Sequence, residues 1–176
     1  SDDYARAAPG GTGAAKCGGN YAASLLPQAT AAAQGFDQIL FLDSAGENIE
    51  ELGGMNVVVI GKDGTASTPR LTGSILEGVT RSSILTLLAE QGLTVQERDI
   101  PLTELVDGVR SGDVAEVFAC GTAAVVSPIG RLAGNGFDVT VGDGEAGALT
   151  RDIHAQLTGI QYGTREDVHG WLTRLV

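Results

Sequence analysis

Lys16 stands between two glycine clusters, in the run Gly10-Gly11-Thr12-Gly13-Ala14-Ala15-Lys16-Cys17-Gly18-Gly19-Asn20-Tyr21. Glycine lets backbone approach a ligand closely. A lysine held there can lose its water, and its amine then becomes a nucleophile suited to Schiff-base chemistry. A lysine in a glycine-rich loop also reads as an ordinary solvated charge. A phosphate-binding Walker loop is the other rival. That loop needs Gly-Lys-Ser/Thr after its glycines, whereas Ala15 precedes Lys16 and Cys17 follows it, so the motif fails where it would touch phosphate and metal.

Three further loops carry groups that could meet an anion. Gly78-Val79-Thr80-Arg81 opens a predicted helix, whose first amides and positive dipole end suit phosphate, with the Thr80 hydroxyl beside them. It reads equally as a plain helix start. Gly121-Thr122-Ala123-Ala124 follows an apolar run and offers amides and a hydroxyl, or else a bulge or turn. Gly142-Asp143-Gly144-Glu145-Ala146-Gly147 carries two acids and is expected to be a surface loop. Glu50 and Glu51 precede Gly53-Gly54-Met55-Asn56 and an apolar strand, which can bring one carboxylate inside. A buried carboxylate needs a positive partner.

These loops need elements to hold them. Residues 20–35 are expected to be a helix stopped by Gly35, with Pro27 at its first turn or at a kink. Gln38–Asp43 and Asn56–Ile60 read as strands, with turns at 45–48 and 62–64 and extended chain over 66–76. Val79–Glu90 has helical spacing, and Leu93–Ile100 alternates as a strand. Leu102–Val109 reads as a short helix, Glu116–Cys120 as a buried strand and 123–126 as its neighbour in the sheet. Phe137–Val141 is a predicted strand, 148–160 a predicted helix and Asp167–Leu175 a short terminal one. The class is α/β with a mixed sheet.

Hydrophobic residues make up 43% of the 176 and charged residues 19%, a globular balance. The net charge of −11 argues against nucleic acid and anionic membranes as partners. The two cysteines, Cys17 and Cys120, have no zinc-site spacing and make no disulfide framework. They read as free thiols in a reducing cytoplasm. No run is long enough for a membrane span, and no secretory signal is visible. The start at Ser1-Asp2-Asp3, close before the richest motif, suggests a piece of a longer protein.

Taken in order, these motifs resemble the branched-chain amino acid aminotransferases, pyridoxal-phosphate enzymes of fold type IV in the class IV aminotransferase family. Lys16-Cys17-Gly18-Gly19-Asn20-Tyr21 is similar to that family's lysine motif and Glu50-Glu51-Leu52-Gly53-Gly54-Met55-Asn56 to its cofactor-glutamate motif. Leu76-Glu77-Gly78-Val79-Thr80-Arg81 and Cys120-Gly121-Thr122-Ala123-Ala124 match its phosphate and carboxylate loops, and Thr158-Gly159-Ile160-Gln161-Tyr162-Gly163 its C-terminal signature. The Gly-Gly-Met-Asn and Ala-Cys-Gly-Thr-Ala wording resembles the actinobacterial members.

The resemblance implies a role for each matching residue. Lys16 would be the Schiff-base lysine, Tyr21 the partner of the cofactor's phenolic oxygen and Glu51 the acid facing its pyridine nitrogen. Arg6, Val79, Thr80 and Thr122 would lie at the phosphate, and Gly54 and Ala123 at the substrate. The implied fold is a mixed-sheet pseudo-barrel with surrounding helices, residues 1–176 being the cofactor-binding large domain. The family's small N-terminal domain, with its phosphate arginine and aromatic walls, has no counterpart in these residues.

The implied reaction moves the amino group of leucine, isoleucine or valine to 2-oxoglutarate, in a cytoplasmic homodimer without a metal. A D-amino acid aminotransferase or an aminodeoxychorismate lyase shares the fold. An inactive or merely ligand-binding fragment is the reading from another class. Two departures stand out. Glu77 replaces a frequent proline, and Ala124 and Ser127 stand where mammalian members carry a redox cysteine pair.

Overall fold

The two most apolar runs pair with each other. β3 (Asn56–Gly61) and β6 (Val114–Gly121) are antiparallel, with Asn56 opposite Cys120 and Val58 opposite Phe118. Side chains alternate across a strand. Val57, Val59, Val117 and Ala119 therefore enter one apolar cluster, and Val58, Ile60, Phe118 and Cys120 another. Both faces are covered, which is why these strands read as unbroken apolar runs rather than as alternation. These contacts come from a computed structural model that describes residues 3–175.

The sheet is completed by β4 (Thr65–Pro69), β5 (Thr94–Arg98) and β7 (Val125–Pro128), in the order β5-β4-β3-β6-β7. β4 returns from β3 through the expected turn at 62–64, where the Asp63 carboxylate accepts the Thr65 amide at 2.9 Å. β5 is parallel to β4, so the chain must cross over, and α2 (Val79–Glu90) makes the crossing. α2 and α4 (Ala148–Gln161) cover one face through Ile84, Leu88, Ile153 and Leu157. α3 (Leu102–Ser111) covers the other through Leu105, Val106 and Val109. Each such side chain contributes about 1.5–3 kcal/mol by leaving water. α1 (Gly18–Ala33) lies ahead of the sheet and carries a buried Pro27 inside it. The expected mixed sheet with helices around it is what these strands and helices form.

Two ribbons flank the sheet, β1 (Leu40–Leu42) with β2 (Ile49–Leu52) and β8 (Arg131–Gly134) with β9 (Phe137–Thr140). Neither β2 nor β8 was expected. β2 contains two glutamates, yet all four of its residues are buried, so its polar sequence hides an interior strand. β8 is short and held partly by Arg131, whose guanidinium pairs with Asp138 across the ribbon at 2.6 Å.

The helix expected over Asp167–Leu175 is not formed. Gly170 adopts φ +68, a left-handed conformation that breaks a helix. The Asp167 carboxylate instead accepts the Leu172 amide at 2.7 Å, and His169 stacks on Trp171 with ring centroids 4.0 Å apart.

Candidate functional site

β3 and β6 end at the same edge of the sheet, because Asn56 is paired with Cys120. The turn before β3 and the turn after β6 therefore emerge side by side. A Cβ placed on Gly121 would sit 3.3 Å from the Met55 side chain and 3.5 Å from the Gly54 carbonyl. The start of α2 is tied to the same edge, where the Asn56 amide donates to the Leu76 carbonyl at 2.8 Å. Gly78 is required twice over: its φ is +71, and any Cβ would collide with the Asn56 Oδ1. α1 completes the group. Its Tyr21 ring would lie 3.9 Å from a Cβ at Gly54, and its Ser24 side chain 3.6 Å from one at Gly53.

Lys16 reaches this edge from the glycine-rich loop. Its exposed Nζ donates to the Tyr21 hydroxyl at 3.0 Å. The loop itself is fixed rather than loose. The buried Asn20 donates to the carbonyls of Thr12 and Ala15 at 2.8 and 3.0 Å, and its side-chain oxygen accepts from the Thr12 hydroxyl at 2.7 Å. Gly13 presses on the Ser74 backbone so closely that a Cβ would collide with the Ser74 carbonyl oxygen. Cys17 begins α1, and the Gly19 amide, together with Thr12 and the Asn20 amide, lowers its thiol against the opposing effect of burial.

The acids lie on the other side of that contact. Glu51 is 3% exposed and Glu50 5%. Glu51 is in an ion pair with the Arg6 guanidinium and accepts the Leu76 amide at 3.4 Å. Burial pushes Glu51 up to about 7, with Arg6 and the Leu76 amide opposing the rise. Glu50 accepts from the Ser74 hydroxyl, itself 2.6 Å from the Thr72 hydroxyl, while its second oxygen has no partner. Burial raises Glu50 too. Arg6 was expected beside a phosphate. Its guanidinium is instead engaged by Glu51, the Ser74 carbonyl and, at 3.3 Å, the Gly13 carbonyl.

The anion loops remain open. Val79 is 86% exposed and Thr80 is partly buried. The first helical bond of α2 runs from the Ser82 amide to the Gly78 carbonyl, so the amides before it have no intrahelical acceptor. No side chain caps the helix, and no acid stands in its first turn. Thr122 and Ala123 are exposed in the β6–β7 turn. That turn ends on Val125 at φ +56, a conformation that costs a β-branched residue about 1–3 kcal/mol.

Lys16, Tyr21, Gly54, Glu51, Val79, Thr80, Thr122 and Ala123 thus sit on elements that meet at one sheet edge. These elements carry an accessible amine, a buried acid, donors for an anion and backbone able to approach a ligand. Sequence reasoning assigned no role to Asn20, Asn56 or Ser74. Asn20 and Asn56 were visible as the polar members of Gly-Gly-Asn and Met-Asn. Ser74 carried no signal, because its importance lies in what packs on its backbone. Two recesses lie elsewhere, one between α2 and β5 near Arg81 and Glu97 and one near Lys62 and Arg98. No group of three or more possible metal ligands occurs among the described residues, and no described helix is long and apolar enough to cross a membrane.

The family model for amino-transferase class IV matches residues 3–132. A branched-chain-amino-acid aminotransferase from Mycobacterium tuberculosis is 50% identical over 179 aligned positions, covering 99% of this chain and 49% of that protein. The corresponding protein of Mycolicibacterium smegmatis is 49% identical with the same coverage. Among solved structures, the Escherichia coli branched-chain amino acid aminotransferase is 36% identical with a TM-score of 0.85, over 99% of this chain and 54% of that one. The T.th. branched-chain amino acid aminotransferase, complexed with N-(5'-phosphopyridoxyl)-L-glutamate, is 30% identical with a TM-score of 0.85, over 99% and 55%. The chain spans about half the length of the curated relatives it matches.

Proposed function

Because the chain belongs to the class IV aminotransferases, we propose that residues 1–176 form the pyridoxal-phosphate-binding part of a branched-chain amino acid aminotransferase. The reaction moves the amino group of leucine, isoleucine or valine to 2-oxoglutarate. The observation that carries this reading is one pairing: an exposed amine held on the hydroxyl of a tyrosine whose ring packs against Gly54, in the turn that leads from the β2 strand and its buried acid into β3. The names of the relatives and the phosphopyridoxyl ligand of the T.th. structure support the reaction and the cofactor. The working form in this reading is a cytoplasmic homodimer.

The residues present fit such a cofactor. The aldehyde would be held by Lys16 and the phenolic oxygen by Tyr21. Glu51, an acid poised near neutrality by burial, would face the ring nitrogen. The phosphate would meet the uncapped amides of Val79 and Thr80, with the Thr80 and Thr122 hydroxyls, where Gly78 leaves no room for a side chain. When bound, pyridoxal phosphate supplies a conjugated ring that accepts the electron pair released at the substrate Cα.

The chain's own groups do the rest. Once the substrate's own amine had taken its place on the aldehyde carbon, the freed Lys16 amine would take the proton from Cα as a general base and later return one. Glu51 favours the protonated ring nitrogen, because opposite charges attract strongly where water is excluded. The backbone at Gly54 and Ala123 would receive the substrate carboxylate.

Borohydride reduction of the protein loaded with pyridoxal phosphate, followed by mass spectrometry, tests the assignment. The chain has one other lysine, Lys62, at the β3–β4 turn. A pyridoxyl adduct on Lys16 that disappears in Lys16→Ala is expected. An adduct confined to Lys62, or an undiminished one in the variant, overturns the reading. L-leucine, D-alanine and aminodeoxychorismate assayed side by side separate the branched-chain reaction from its two relatives of the same fold, and L-leucine is the expected donor.

A further inference from the structure

Two adjacent carboxyls are buried on β2, and the contacts around them are unequal. Glu51 has the guanidinium of Arg6 and the Leu76 amide. Glu50 has the Ser74 hydroxyl on one oxygen and nothing on the other. Beyond the two carboxyls themselves, of which Glu50 pushes Glu51 up, the charged groups acting on the pair are Arg6, from the segment ahead of Lys16, which pulls both down, and Asp43, which ends the β1 side of the β1–β2 turn and pushes Glu50 up. Asp43 itself accepts from the Glu47 backbone amide at 2.9 Å and the Asn48 side-chain amide at 2.7 Å. Among the described residues, Arg6 is the cation placed against the pair. An ionised carboxylate with a bare oxygen in a dry interior is costly, far more so than a neutral carboxyl.

We propose that Arg6 is a positioning residue that places its ion-pair contact on Glu51 and thereby sets that acid's protonation, while Glu50 stays neutral on Ser74. All three contacts fall on one terminal nitrogen, Nη2, so the carboxylate and the two carbonyls converge on a single point of the guanidinium, while Nε has no partner among the described residues. The same nitrogen holds the lysine loop. Arg6 donates to the carbonyls of Gly13 and Ser74, and these are the residues whose backbones press together. Arg6 therefore joins the loop that carries the amine to the acid opposite it. Its place in catalysis rests on the proposed function, through the ring nitrogen that Glu51 would face. Its control over Glu51 does not.

The test is a titration of the cofactor-free chain with 13C-labelled glutamate carboxyls, read by NMR and assigned with Glu50→Gln and Glu51→Gln. Arg6→Gln should raise the Glu51 midpoint by about 1–3 pH units, the effect of removing a close opposite charge. Arg6→Lys should bring it back towards wild type. An unmoved Glu51 midpoint in a folded Arg6→Gln protein overturns the proposal. Should that variant not fold, Glu50→Gln still decides. It should leave the Glu51 midpoint in place, and a fall of more than about one unit would mean that Glu50 had been ionised beside it, which overturns the proposal. Loss of the borohydride adduct at Lys16 with these midpoints intact would remove the aminotransferase reading and leave the role of Arg6 standing.

Discussion

The two sides of the site differ in how finished they are. The acid side is assembled: Glu51, Glu50, Arg6 and Ser74 are all buried, ion-paired or hydrogen-bonded, and set against apolar strands. The amine side is exposed: Lys16 and Tyr21 bond to each other at the surface, and Thr122 and Ala123 stand open nearby. A group that tunes charge works best in a fixed, dry place. A group that must bond with and release a ligand has to be reached. The chain therefore fixes the electrostatics of its acid side in advance and leaves the Lys16 amine accessible.

The contrast is tested most severely by neutralising the acid without changing its shape. Glu51→Gln should retain the Lys16 adduct but lose about 10²–10³ in turnover, the usual scale for removing one well-placed electrostatic group. The adduct reports the exposed side and the turnover reports both. A near-normal rate with the adduct intact would mean that the buried acid does not act on the reaction.

The exposed side was the more legible in sequence. Lys16 and Tyr21 lie in one continuous stretch, with Gly-Gly-Asn between them. α2 was legible to its ends, because its apolar spacing is regular and a glycine follows it. The acid side was half hidden. The paired glutamates suggested one buried carboxylate with a positive partner, but both are buried. The partner, Arg6, lies 45 residues away in an irregular segment. No local pattern encodes a contact of that kind. The same reason conceals Ser74, which meets Gly13 and Glu50 only after the chain has folded. The terminal helix failed for the opposite reason: its pattern was local, but Gly170 and the Asp167 carboxylate offered the backbone another arrangement.

Acidity probes the buried side next. An unperturbed glutamate titrates at 4.5 and Glu51 at about 7, so over that range the folded chain holds a proton that the unfolded chain has lost. The stability contributed by this group is whole below 4.5 and is lost as pH rises through 7, by up to about 3 kcal/mol. The net charge of −11 adds self-repulsion at higher pH, but Glu51→Gln shares most of it. Denaturant midpoints of both proteins at pH 5 and pH 8 isolate the contribution of Glu51. Wild type should lose more stability than the variant between the two, and equal losses would place the Glu51 titration outside the fold.

The exposed side should respond least. Tyr21→Phe keeps a ring 42% exposed against Gly54 and removes only the hydroxyl that accepts from Lys16 at 3.0 Å. Stability should stay within about 0.5 kcal/mol, since nothing buried loses a partner. The lost bond is worth about 1 kcal/mol, so turnover should fall roughly fivefold, with the adduct still on Lys16. A variant that instead unfolds several degrees earlier would make Tyr21 part of the packed scaffold. The amine side would then be as prearranged as the acid side, and the division between the two would fail where it is easiest to measure.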